Sequence, residues 1–256
     1  MELPTISIIT VTYNAEAYLE ATLLSVIAQN YAHKEYIIID GRSKDQTVNI
    51  IQKYAHHINY WVSEPDKGLY DAMNKGMAIA KGAYILFMNA GDTLYDPDTL
   101  RDIFLKNEQA DIYYGEAEML DAKSRQALGL RSEVTPHKLP SGLRWQHMQC
   151  GMVVCHQSFI VRKAIAPSYD LNYSYSADVD WVITCLKRSK KTIYTKQIIA
   201  TFLQGGLSTQ KRKTSLLERF RVLKKHFGTF RTLLSHFHIL LRGFSFTLRK
   251  RSYWRN

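Results

Sequence analysis

The 256-residue chain is short of cysteine, of long apolar runs and, over its last fifth, of acid. Its three cysteines, Cys150, Cys155 and Cys185, are too few and too odd in number for a disulfide framework. Cys150, Cys155 and His156 match no standard zinc spacing and lack a fourth ligand, so reduced thiols are expected. No uninterrupted apolar run approaches the ~20 residues that span a bilayer. Met1-Glu2-Leu3-Pro4 lacks the basic and then apolar start of a secretory signal. The expectation is a cytoplasmic protein that meets a membrane only by lying on its inner face.

The missing acid is more specific. From Lys211 to Asn256 there are 13 Lys and Arg against one acid, Glu218, whereas residues 1–210 carry 21 basic and 22 acidic side chains. The formal charge of +11 therefore belongs to the tail. There Leu216, Leu217, Phe220, Leu223 and Phe227 interleave with Arg219, Arg221, Lys224 and Lys225. Past Gly228 the pattern repeats with Phe230, Leu233, Leu234, Phe237, Leu240 and Leu241. Basic amphipathic helices are expected over 211–256, and they suit an anionic membrane surface. Packing on the main domain is the second reading. No nucleic-acid-binding motif accompanies the charge, so no nucleic-acid partner is expected.

What is present is an ordinary globular composition, 46% apolar and 22% charged. Strand and helix patterns alternate over the first 120 residues. Ile6–Val11 is a β-rich run, followed by Leu19, Leu23, Val26 and Ile27 at helical spacing. Tyr36–Ile39 is apolar on both faces, as a strand between helix layers should be. Ser43-Lys44-Asp45-Gln46 reads as a capping box opening a helix toward Tyr54. Tyr60-Trp61-Val62 and Tyr84–Met88 are further strands. Between them a helix from Leu69 puts Met73, Met77 and Ala80 on one face and stops at Lys81-Gly82. This alternation predicts a wound, mostly parallel α/β sheet. Such sheets bind ligands beyond the carboxyl ends of their strands. Those ends are polar here: Thr12–Asn14, Asp40–Arg42, Glu64–Lys67 and Asn89–Asp92. Residues 122–150 are less regular, Met152-Val153-Val154 predicts a strand just before His156, and Asp178–Leu186 predicts a short helix.

Thr12-Tyr13-Asn14-Ala15-Glu16, Ile39–Thr47, Asn89-Ala90-Gly91-Asp92 and above all Glu64–Gly76 resemble family 2 glycosyltransferases of the GT-A fold. The likeness is nearest to bacterial O-antigen and exopolysaccharide transferases. It is strong over residues 4–105, thinner to about 205 and absent in the tail. It implies a Rossmann-like donor-binding half (1–120), an acceptor-binding half of the same domain that carries the base (121–210), and the basic tail (211–256). The implied chemistry is inverting transfer from a nucleotide sugar to a lipid-linked saccharide acceptor.

By that resemblance Thr12, Tyr13, Asn14, Glu16 and Asp40 border the nucleotide. Tyr13 suits stacking on a base, and Asp40 suits accepting from a ring N–H. Asp66, Lys67 and Asn74 line the sugar and phosphates. Asn89, Ala90, Gly91 and Asp92 form the acidic turn, where Asp92 is the ligand for Mn²⁺ or Mg²⁺. His156 and Gln157 reach toward the diphosphate or acceptor. Ser176-Ala177-Asp178-Val179-Asp180-Trp181 matches the site of the catalytic base. Two residues apart on a helix, Asp178 and Asp180 point in different directions, and Asp178 is the expected base, with an N-cap role as its structural alternative.

Many family members carry further aspartates where this chain has Asn89 and Gly91. The cation is therefore expected to arrive with the nucleotide, and neutralisation by Lys or Arg alone stays open. A sugar-phosphate nucleotidyltransferase would show a Gly-rich, Arg-containing loop after the first strand, which Tyr13–Glu16 is not. A degenerate transferase acting as a scaffold is the non-enzymatic alternative.

Overall fold

The computed structural model describes residues 3–205 and 211–249, the side chains of 212 and 243–249 excepted. The expected boundary at residue 210 and the end of the tail lie outside the described residues.

The first strand, β1 (Ile6–Thr12), is buried along its whole length. Its Ile6 and Ile8 face one apolar layer, and Ile9 and Val11 face the other. This two-faced burial explains why its sequence reads as a continuous apolar run. β2 (Lys34–Asp40) and β4 (Tyr84–Phe87) flank it in parallel, and β3 (Tyr60–Ser63) adds to β2 in the same sense. The register sets Thr12 beside Asp40 and Asp40 beside Ser63, so these strands end level with one another.

One face is covered by α1 (Leu19–Ile27), α2 (Thr47–Lys53) and α4 (Thr99–Lys106), the last following the short strand β5 (Thr93–Leu94). The other is covered by α3 (Leu69–Ile79) and later helices. α3 lies hard against β1. A Cβ on Gly76 would stand 2.5 Å from Ile9 Cγ2. A helical glycine costs ~1 kcal/mol relative to alanine, and here it admits the close approach. Met73 and Met77 then bury against the sheet, each worth ~1.5–3 kcal/mol.

The parallel run ends at β4. β8 (Phe159–Arg162) pairs antiparallel with both β4 and β6 (Ile112–Leu120). β9 (Thr192–Leu203) runs parallel to β6 and antiparallel to β5, and β7 (Ala127–Leu130) pairs with β6. The sheet is thus parallel through its first four strands and mixed beyond, in the order β3-β2-β1-β4-β8-β6-β9-β5. α5 (Arg131–Val134) and a 3-10 turn over Trp145–Cys150 occupy the irregular stretch. α6 (Ala177–Arg188) packs its Trp181, Val182 and Cys185 into the core beside α3.

Two local expectations are corrected. Met152-Val153-Val154 is not a strand, because the carbonyls of Met152 and Val153 accept from Arg131 (2.5 and 2.9 Å). The strand begins after His156, at Phe159. Ser43 is not the cap of α2 either. Its amide and hydroxyl both turn back to Asp40, while Glu16 accepts from the Gln46 amide (2.8 Å) and Asp45 from Thr47 (3.0 Å).

Two helices close the described chain, α7 (Arg212–Phe227) and α8 (Thr229–Arg249), hinged at Gly228 with φ 80°. α7 joins the domain outright. Val222, Leu223 and Phe227 are buried, Glu218 accepts from the amides of Ser174 and Tyr175, and Asp180 of α6 is met by Lys225 and His226. α8 docks with the opposite polarity. Thr232 and Ser235 face inward, while Phe230, Leu233, Leu234, Phe237, Leu240 and Leu241 are each more than half exposed.

Candidate active site at the strand ends

The polar strand ends converge as the register requires. Tyr13, just past β1, is 60% exposed and offers a free aromatic face. Gly41, just past β2, lies under it. A Cβ there would stand 2.4 Å from Asp66 Oδ2 and 3.4 Å from Tyr13 Cδ2. Only glycine lets Asp66 and Tyr13 approach the end of β2 so closely. Lys67 is exposed beside them, its amide donating to Asp71 (2.9 Å). Asn14 and Glu16 lace the β1 loop to the β2 loop, through Asn14 Oδ1 with the Lys44 amide (2.9 Å) and Glu16 Oε2 with the Gln46 amide.

Asp40 is fully buried and accepts from the Ser43 amide and from the hydroxyls of Ser43 and Ser63. A carboxylate offers about four acceptor directions. Three are taken here, two on Oδ2 and one on Oδ1, so one direction on Oδ1 is left for a further N–H.

The turn after β4 is locked from α1. Thr22 Oγ1 donates to the Asp92 carbonyl (2.7 Å) and accepts from the Gly91 amide (3.0 Å), and Gly91 takes φ 103°. The Ala90 amide donates to Val11 (3.3 Å), which holds the turn against the end of β1. Asp92 is buried, and its carboxylate accepts from Gln157 Nε2 at 2.6 Å. Burial pushes its carboxyl up to about 7, with the Gln157 hydrogen bond pulling the other way. Close by in the sheet, Asn89 Oδ1 and Thr12 Oγ1 are buried without a hydrogen-bond partner. An undercompensated carboxylate and two orphaned oxygens fit part of the oxygen shell of a hard divalent cation. Among the described residues no group of three or more His, Cys, Asp or Glu side chains surrounds a metal position. The protein thus offers a partial shell rather than a cage.

Across the site, Asp178 stands in the first turn of α6, half-buried. Its Oδ1 accepts from the Tyr70 hydroxyl (3.1 Å) and the Val179 amide (3.0 Å). Ser176 holds the N-cap position. Asp180 is occupied by Lys225 and His226, so only Asp178 of the pair faces the site. Behind Asp92, the Cys155 thiol donates to Gln157 Oε1 (3.1 Å). Burial pushes that thiol up to about 11, with Asp92 and Asp178 both adding to the rise and Arg131 opposing it.

Two expected site residues are spent elsewhere. Asn74 is tied through both side-chain atoms to the Tyr169 backbone, at 3.0 and 2.7 Å, and is not free to line a donor pocket. His156 points inward, stacked on Phe87 (5.2 Å) with Nε2 on the Tyr169 hydroxyl (2.7 Å). Burial holds it down to about 4, so it sits neutral in the core. Its neighbour Gln157 reaches the acidic turn instead. Tyr70 was not singled out from the sequence, although it lies in the distinctive Glu64–Gly76 block.

Residues 7–166 match the profile of the Glycosyl transferase family 2 domain. The chain belongs to that family. It is accordingly a transferase enzyme. A Mycobacterium bovis protein named as a PGL/p-HBAD biosynthesis glycosyltransferase is 30% identical over 219 residues, covering 81% of this chain and 80% of the relative. Staphylococcus aureus TarS 1–349, crystallised with UDP-GlcNAc, superposes with a TM-score of 0.68 at 17% identity, over 94% of this transferase and 73% of that chain. The transferase spans 44% of the longer TarS chain. The Pyrobaculum calidifontis mannosyltransferase PcManGT, crystallised with GDP-Man and Mn²⁺, superposes with a TM-score of 0.63 at 12% identity, over 98% and 76% of the two chains. These structural likenesses establish the GT-A-like fold.

Proposed function

We propose that this transferase moves a sugar, with inversion, from a nucleotide-sugar donor to a lipid-linked saccharide in surface polysaccharide synthesis of the O-antigen type. One observation carries the reading: at the carboxyl ends of the parallel strands the buried Asp92 carboxylate is held by Gln157 Nε2, while Asp178 of α6 accepts from the hydroxyl of Tyr70, which α3 of the donor half supplies. Tyr13 stacks on the base, Asp40 and Asp66 order the nucleotide side, and Lys67 adds positive charge near the phosphates. Asp92, with Asn89 beside it, holds Mn²⁺ or Mg²⁺ jointly with the donor's phosphates. The cation, when bound, supplies charge neutralisation for the departing diphosphate.

Asp178 takes the proton from the attacking hydroxyl, and the Tyr70 hydroxyl aims its carboxylate. The acceptor oxygen bonds to the anomeric carbon as the bond to the diphosphate oxygen breaks on the opposite face. The test is thermal stabilisation by UDP-, GDP- and dTDP-sugars with and without Mn²⁺. One donor should raise the melting temperature more with Mn²⁺ than without. No response to any nucleotide sugar would overturn the reading.

The same reading places the protein on the inner face of the cell membrane through α8. Among the described side chains of this helix, Thr232 and Ser235 are buried and six large apolar ones are more than half exposed. No described helix is long and apolar enough to cross a bilayer. Excess positive charge in the tail favours anionic lipid over a second protein as the occupant. Flotation with phosphatidylglycerol vesicles, and none with phosphatidylcholine, is the expected result. Concentration-dependent dimers that bury the ridge and do not float would contradict it.

A further inference from the structure

The inward face of α8 carries a second feature. Arg242 reaches under the helix to the loop before β8, where its Nη2 donates to the Cys150 carbonyl (3.0 Å) and to His137 Nδ1 (3.2 Å). Its Nε is buried with no partner. Arg219 of α7 presents a second buried Nε with no partner. Arg131, from α5, clamps the carbonyls of Met152 and Val153 in the same loop. Arg131 and Arg242 thus grip one stretch of backbone, Cys150–Val153. Burial, and then Arg131, Arg242 and Arg219, hold His137 down to about 3, so it serves as a neutral acceptor. Among the described residues none of the three enters an ion pair.

Buried guanidinium N–H groups without acceptors are costly, and native proteins keep few of them. A planar fork of donors matches the paired oxygens of a phosphate or a carboxylate. The donor's diphosphate belongs at the acidic turn. The arginine group lies instead on the tail side, where Arg131 feels Asp178.

We propose that Arg219 and Arg242, with Arg131 behind them, form a pocket for the phosphate or diphosphate of the acceptor. This rests on the transferase reading and adds the site that holds the acceptor's head. Arg242 faces inward while Leu240 and Leu241 face outward on the same helix. A phosphate in the pocket would leave its alkyl chain beside the exposed ridge. The shared chemistry is a phosphoanhydride or phosphate ester, and the pocket is assigned to the lipid-borne form.

The test titrates the full chain, first saturated with UDP and Mn²⁺, with farnesyl diphosphate below its micelle concentration. Inorganic pyrophosphate and farnesol serve as the separate arms. Where UDP does not bind, GDP or dTDP takes its place, and binding of none of them would sink the nucleotide-sugar reading and not the pocket. Farnesyl diphosphate should bind with UDP in place, at least tenfold more tightly than pyrophosphate or farnesol. Arg219→Gln should weaken it tenfold or more, and Arg219→Lys should restore part of the loss. Arg242→Gln should weaken it too, with UDP affinity reporting that the fold persists. Equal affinity in Arg219→Gln, farnesol binding as tightly as its diphosphate, pyrophosphate binding as tightly as the lipid, or displacement by UDP would each overturn the proposal.

Discussion

The parallel half of the sheet and helix α8 treat polarity in opposite ways. In β1 through β4 apolar side chains fill the interior and polar groups gather at the strand ends. In α8 small polar residues and an arginine face the protein, and large apolar ones face outward. The first region is complete in itself apart from the orphaned oxygens of Thr12 and Asn89 at its ligand end. The second leaves six large apolar side chains more than half exposed. On the proposed reading a polar ligand completes the strand ends and an apolar surface covers α8.

Substitutions should separate the two regions, and the largest effect belongs to the core. Gly76→Val forces a Cβ against Ile9 across the α3–β1 contact and should destabilise the protein by about 3 kcal/mol in urea unfolding. A loss under 1 kcal/mol would mean that the contact is loose. At the ligand end, Asp92→Asn should lower kcat/KM about 100-fold. The same change should leave the donor-free protein as stable or more stable at pH 8. Burial raises the Asp92 carboxyl to about 7, so the stability linked to its proton is present below the ordinary 3.8 and lost as pH rises through 7. A destabilised Asp92→Asn protein at pH 8 would contradict that sign.

His156 works in the reverse direction. Its ring is held down to about 4, against an ordinary 6.5. Its contribution is therefore full above pH 6.5 and lost as pH falls from there toward 4. His156→Gln should shrink the stability change across that window by about 3 kcal/mol, at roughly 1.4 kcal/mol per pKa unit. An unchanged acid limb would show that His156 is not buried neutral. The smallest effect belongs to α8. Phe237→Glu should alter unfolding by less than about 0.5 kcal/mol yet weaken binding to anionic vesicles about tenfold. Strong destabilisation would mean the ridge packs internally, and the contrast between the regions would collapse.

The parallel half was legible because two-faced burial writes itself as unbroken apolar runs with polar ends. Asp92 stands at such a polar strand end, whereas Asp178 was singled out through the family resemblance. What the sequence hid depends on partners far along the chain. Asn74 pairs with the backbone of Tyr169, and Gln157 reaches Asp92, which no local pattern discloses. Met152-Val153-Val154 and Phe159-Ile160-Val161 look alike as apolar runs, and the Arg131 clamp decides which one becomes a strand. Helix α8 was legible as amphipathic, but amphipathy alone does not say which face turns inward.

The most direct test of the central claim compares Asp178→Asn with the parent enzyme, measuring turnover and donor affinity on the same preparations. The expected result is donor affinity within twofold of the parent and kcat lower by about 10³. Near-parent turnover in that variant would contradict the assignment of Asp178 as the base that completes the site.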